Sequence, residues 1–155
     1  MAARQIALSQ LPELVGVDLG VSEPILVDQE RINQFADATE DHQWIHLDTE
    51  RAAQSPFGTT IAHGYLTLAL APVFLFQMLE VEGADQVINY GLDKLRFPAP
   101  VPSGSQVELA ATVADVTAVK GGYQLAVDAE FWVRGAERPA CVATFLFRYY
   151  GQVDK

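Results

Sequence analysis

Three scarcities bound what this chain can be. It has one cysteine in 155 residues, which excludes an internal disulfide. Cys141 stands in the apolar run 140–147 and is expected to be a small buried residue rather than a reactive thiol. Positive charge is also scarce: ten Lys and Arg face twenty Asp and Glu, for a net charge of −10. No basic stripe is available to meet phosphates, so nucleic acid is not an expected partner. Acidity of this kind speaks to solubility more than to chemistry. Long hydrophobic runs are missing too. The longest, residues 65–79, contains Pro72 and Gln77 and falls short of the roughly 20 residues a membrane span needs. Residues 1–10 carry no sustained apolar run, so no signal peptide is expected. The default is a soluble cytoplasmic protein with no membrane partner.

Apolar material is plentiful: half the residues are hydrophobic, enough for one sizeable core in a single domain over 1–155. No repeat, low-complexity tract or linker interrupts it. The chain divides by period into a helical and irregular first half and a β-rich second half. Residues 1–15 are ambiguous. Residues 16–27 read as a strand interrupted at Gly20. Asp28 is placed to cap a helix over 29–38, with Ile32 and Phe35 on its inner face. Residues 39–47 read as a loop or bent segment, Asp48 caps a short helix over 50–54, and Ser55-Pro56-Phe57-Gly58 is turn chemistry.

Residues 63–80 change character. Leu66, Leu68, Leu70, Val73, Phe74, Leu75, Met78 and Leu79 leave no polar face, the mark of a buried helix. Pro72 predicts a bend or break within it, and Gly83 is expected to end the element. Residues 87–97 read as a strand, and 97–104 as a rigid proline-rich connection. Val107, Leu109, Ala111 and Val113 then alternate with polar neighbours, Gly121-Gly122 makes a hairpin turn, and Leu125, Val127, Ala129 and Phe131 resume the apolar face. A last strand covers 139–150. The expected sheet is an antiparallel meander with one wet and one dry face. A curved sheet wrapped around one buried helix is an α+β hot-dog fold.

The chemistry concentrates in Asp41-His42-Gln43-Trp44-Ile45-His46 and Ile61-Ala62-His63-Gly64. A carboxylate and an imidazole can together hold and deprotonate a water. Five residues apart, they meet in an irregular segment but diverge on a straight helix. A glycine amide opening a helix can hold a developing oxyanion. Other readings stand beside these. Asp41 can simply close the preceding helix, His46 can be a satisfied core histidine, and Gly64 can mark a close backbone approach. His42 and His46, with Asp41, Asp48 and His63, offer metal-ligand types. No glutamate stands where zinc proteases place their general base, and no metal is expected.

In these residues the chain resembles the MaoC-like (R)-specific enoyl-CoA hydratases. Their first motif has the form Asp-x-Asn-Pro-x-His-x-Asp after Phe-Ala, and Ala-His-Gly follows. Here Phe35-Ala36 precedes Asp41 to Asp48, and Ala62-His63-Gly64 opens the apolar helix. Leu95-Arg96-Phe97-Pro98-Ala99-Pro100-Val101 resembles the family's strand-to-strand passage, and the likeness spans about residues 30–150. Gln43-Trp44 replaces the motif's Asn-Pro. The resemblance implies Asp41 and His46 as catalytic residues and Gly64 as the oxyanion donor, with Gln43 and His63 in support. It also implies an acyl-CoA thioester substrate, no cofactor beyond the CoA of that substrate, and a homodimer. Lys94, Arg96, Lys120 and Arg148 are the candidates to meet CoA phosphates. Acyl-CoA thioesterases share the fold but place an acid on the central helix, and none lies between His63 and Gln77.

Overall fold

The computed structural model describes residues 2–152. In chain order the elements are β1 (Arg4–Ala7), a 3-10 helix (Leu8–Leu14), β2 (Asp18–Val21), β3 (Ile25–Val27), α1 (Gln29–Thr39), α2 (Trp44–Leu47) and α3 (Thr49–Ala53). They continue with α4 (Gly64–Ala69), α5 (Ala71–Met78), β4 (Leu79–Glu82), β5 (Ala84–Arg96), β6 (Ser105–Val119), β7 (Gly122–Val133) and β8 (Cys141–Gly151). The main sheet runs β2-β6-β7-β8-β5, with β3 also on β6, and every pair is antiparallel. This sheet over a central helix is the hot-dog fold.

The period-2 alternation places the core. Val107, Leu109, Ala111 and Val113 of β6, Leu125, Val127, Ala129 and Phe131 of β7, and Phe145, Phe147 and Tyr149 of β8 are all buried. They close on Leu66, Leu70, Phe74, Leu75 and Met78 of the central helix. Phe74 and Phe131 meet edge to face at 6.0 Å. Phe74 is wholly buried, so truncating it to alanine costs about 3–5 kcal/mol.

The central helix is two helices. Leu70 caps the end of α4 and the start of α5. Pro72 falls in the first turn of α5, where its missing N–H had no partner to lose. The helical run ends at Met78, short of Gly83. Residues 79–82 alternate and pair in parallel with residues 4–7, the segment whose sequence was ambiguous. Gly83 instead makes the positive-φ turn (+86°) from β4 into β5.

Three further expectations are corrected. The strand over 16–27 is split into β2 and β3, because Ser22 leaves the ladder to exchange hydrogen bonds with Leu109. The meander covers β6, β7 and β8 only. β5 does not neighbour β6; it lies beyond β8, and the proline-rich passage carries the chain across to β6. The central helix is not covered all round: Tyr65, Val73 and Phe76 are 67%, 43% and 51% exposed. A sheet can cover one side of a rod. The apolar stripe on the other side remains bare in the single chain, as do Ile88 and Leu92 of β5.

Candidate active site

The site begins where α1 ends. Asp28 caps that helix by accepting from the Arg31 amide at 2.9 Å. At its other end Glu40 adopts a left-handed conformation (φ 62°) that reverses the chain. The following segment is not a plain loop: residues 44–47 form the four-residue helix α2, with Gln43 at its N-cap and the Asp48 amide bonded to the Trp44 carbonyl. Asp48 then caps α3 through the Arg51 amide at 3.0 Å. Asp41 lies outside α2 and His46 inside it, so the two side chains are not held to straight-helix geometry.

His46 is buried, and its Nδ1 lies 2.7 Å from the Ile61 carbonyl. A carbonyl only accepts, so Nδ1 carries the proton and Nε2 keeps its lone pair. The Ile61 amide returns a bond to the Ile45 carbonyl at 3.0 Å. The ring stacks on His63 at 3.8 Å between centroids. His63, buried at the N-cap of α4, donates from Nε2 to the main-chain carbonyl of Asp41 at 2.9 Å, and Phe35 packs on its ring at 4.9 Å. The ring of residue 63 thus ties the Asp41 turn to the start of the central helix.

The carboxylate of Asp41 and ring nitrogens of His46 and His63 all lie within 4.8 Å of one another. A water bonded to two acceptors at about 2.8 Å each holds them about 4.6 Å apart at its tetrahedral angle. A separation of at most 4.8 Å is within the reach of one bridging water. Burial pushes the His46 pKa below its ordinary 6.5, and the neighbouring His63 adds to that effect; the Ile61 hydrogen bond and the Asp41 charge oppose it. The net result is a neutral imidazole near pH 7, which is a base with its lone pair available.

Asp41, His46, His63 and Gly64 line one cavity of about 540 Å³ with Phe35, Thr39, Tyr65 and Phe97. His46, Gly64 and Phe97 also line a second, of about 370 Å³, against Ile61, Thr67 and the proline-rich passage. Gly64 is the first residue of α4, where amides have no intrahelical acceptor. The Phe97 ring lies against it so closely that an added Cβ would sit 3.1 Å from Cε1.

Other sequence candidates lie elsewhere. His42 is exposed and pairs with Asp37 at 3.1 Å. Gln43 is exposed, and its side chain forms no cap bond. Trp44 packs beneath the Arg51 guanidinium at 4.0 Å. Arg148 stacks on Tyr90 at 3.4 Å and bonds Gln124, because alternation with buried Phe147 and Tyr149 turns it to the outer face. Phe97, at the junction of the expected strand 87–97 and the proline-rich connection, lines both cavities. Gln29 and Thr60 were not singled out. Gln29 reaches the His46 carbonyl at 2.7 Å, and the Thr60 hydroxyl donates to Gln29 at 2.5 Å. Contacts between residues 17 and 31 positions apart leave no local pattern.

Residues 11–131 match the description of the MaoC like domain, and the chain belongs to that dehydratase and hydratase family. It is 49% identical over 144 residues to the 3-hydroxyacyl-thioester dehydratase Z of Mycobacterium tuberculosis, covering 92% of this chain and 95% of the relative. Among solved structures, the (R)-hydratase of A. caviae superposes with a TM-score of 0.71 at 25% identity, covering 86% of this chain and 94% of that one. The MaoC-like dehydratase of Rhodospirillum rubrum shares the fold with a TM-score of 0.73 at 24% identity, covering 93% and 98%.

Proposed function

We propose that this protein is an (R)-specific enoyl-CoA hydratase, acting also as the dehydratase in reverse. The carrying observation is the convergence of the Asp41 carboxylate and the His46 ring within 4.8 Å, beside Gly64 in one cavity. In this reading Asp41 and His46 hold one water. Nε2 of His46 takes a proton as the oxygen bonds to C3 of a trans-2-enoyl thioester. The C2–C3 π electrons move toward the thioester carbonyl, whose oxygen faces the Gly64 amide. The dyad then returns a proton to C2, and the C=C bond has become a C–OH and a C–H bond. A donor of the Gly64 type contributes about 3–4 kcal/mol of barrier lowering, and acid–base assistance typically about 10²- to 10⁴-fold. The (R) outcome rests on the family resemblance alone.

No cofactor enters beyond the CoA of the substrate. A metal is disfavoured by the stacking of His46 on His63, 23° from parallel, since lone pairs in near-parallel planes do not converge on one ion. The absence of an acid from the central helix supports hydration over thioester hydrolysis. The reading includes a cytoplasmic homodimer. Its support is β5, a 13-residue strand that among the described residues is paired on one side only, carrying Ile88, Tyr90 and Leu92; an open edge of that length is a hazard unless covered.

Crotonyl-CoA tests the assignment. Hydration removes the conjugated enoyl-thioester absorbance without releasing thiol. Release of free thiol would assign a thioesterase instead, and neither change would leave an acyl-binding subunit.

A further inference from the structure

α2 has four residues, too few to stand by itself, yet it carries His46. Its orientation is set from outside by three tethers. The Ile61 amide holds the Ile45 carbonyl at 3.0 Å, and the Ile61 carbonyl holds the His46 ring at 2.7 Å. The third comes from α1, where Nε2 of Gln29 donates to the His46 carbonyl at 2.7 Å. That carbonyl sits in the last turn of α2, where helix carbonyls have no intrahelical partner.

The other end of the same carboxamide accepts from the Thr60 hydroxyl at 2.5 Å. Thr60 is 1% exposed and directly precedes Ile61, the residue that fixes the His46 tautomer. Asn33 braces Nε2 of Gln29 at 2.9 Å from one helical turn further along α1. One side chain therefore registers both the main chain of His46 and the segment that supplies its ring acceptor. The orientation of the amide is fixed, since a carbonyl oxygen demands a donor on one side.

We propose that Gln29 is a positioning residue: it sets the His46 ring and its Nδ1–H tautomer for the hydration step, acting through Thr60 and the His46 main chain without touching substrate. The proposal rests on His46 as the base. It predicts that shape alone does not suffice. Gln29→Glu keeps the size and the acceptor for Thr60, but sets a carboxylate oxygen where the donor to His46 stood.

The test uses Gln29→Glu, Gln29→Ala, Thr60→Val and the double variant Gln29→Ala/Thr60→Val in the full chain, with crotonyl-CoA hydration, thermal melting and 15N imidazole spectra. The three histidines keep those spectra simple. A misplacement near 1 Å costs about 10²-fold, so kcat should fall about 10- to 100-fold in Gln29→Glu while KM changes little. Thr60→Val should fall less, and its loss should not add to that of Gln29→Ala. The wild-type His46 spectrum should show the Nδ1–H tautomer and the Gln29→Glu spectrum a mixture. Full kcat in folded Gln29→Glu would overturn the proposal, and so would an unchanged tautomer in a variant that has lost turnover. The spectra judge Gln29 even if crotonyl-CoA is not hydrated, which would instead defeat the functional assignment.

Discussion

Replacing His46 by glutamine separates chemistry from folding, because the structure assigns the two losses different sizes. The carboxamide can still donate to the Ile61 carbonyl that Nδ1 now meets at 2.7 Å, so that buried acceptor keeps a partner. What disappears is the ring stack on His63, worth about 0.5–1.5 kcal/mol. Against a typical stability of about 5–15 kcal/mol, that leaves a folded protein melting only about 1–6 °C lower. Glutamine cannot accept a proton from water, so the barrier should rise by the acid–base contribution, about 10²- to 10⁴-fold or roughly 3–5 kcal/mol. Crotonyl-CoA turnover read by enoyl absorbance, beside a thermal melt of the same sample, measures both. Turnover within tenfold of wild type in a variant that melts normally would remove His46 from the chemistry.

Asp41→Asn should lower turnover by at least about 10²-fold with little change in melting, since the carboxylate is exposed and only its main-chain carbonyl meets His63. Gly64→Ala should lower kcat/KM toward the loss of one oxyanion donor, about 10²-fold or more, because the methyl would sit 3.1 Å from Cε1 of Phe97 and must push that ring within the shared cavity; circular dichroism checks the fold. Because burial lowers the His46 pKa in the native state, the unfolded chain binds more protons below pH 6.5. This contribution to stability is complete above that pH and is lost as pH falls through the native value. Denaturant midpoints in wild type and His46→Gln should then diverge on the alkaline side and converge in acid. If the proposed dimer forms along β5, wild type should run as a dimer and Leu92→Asp as a monomer in light scattering.

The sequence was most informative where neighbours along the chain are also neighbours in space. The alternation at Val107 to Val113 and Leu125 to Phe131 located the sheet's dry face, and Asp28 and Asp48 located two helix starts, because pleat and cap are local devices. The gathering of Asp41, His46, His63 and Gly64 was legible because two short motifs hold all four. Strand order was not. That β5 lies against β8 rather than β6 depends on a crossing whose prolines look the same in either topology. Residues 79–82 were absorbed into the helix because their partner, residues 4–7, lies far away and is itself weakly patterned. Gln29 escaped for a similar reason: an amide in a first turn looks like surface until Thr60 and His46 are folded onto it.

One consequence follows from the continuity of β5 with Phe97. The strand's unpaired margin and the aromatic roof over Gly64 belong to a single stretch of backbone, with Arg96 as the last paired residue before the ring. If a second subunit docks along that margin, it also steadies the roof. Dilution should then weaken catalysis per chain while each subunit keeps its secondary structure, so that specific activity reports assembly before any spectroscopic sign of unfolding.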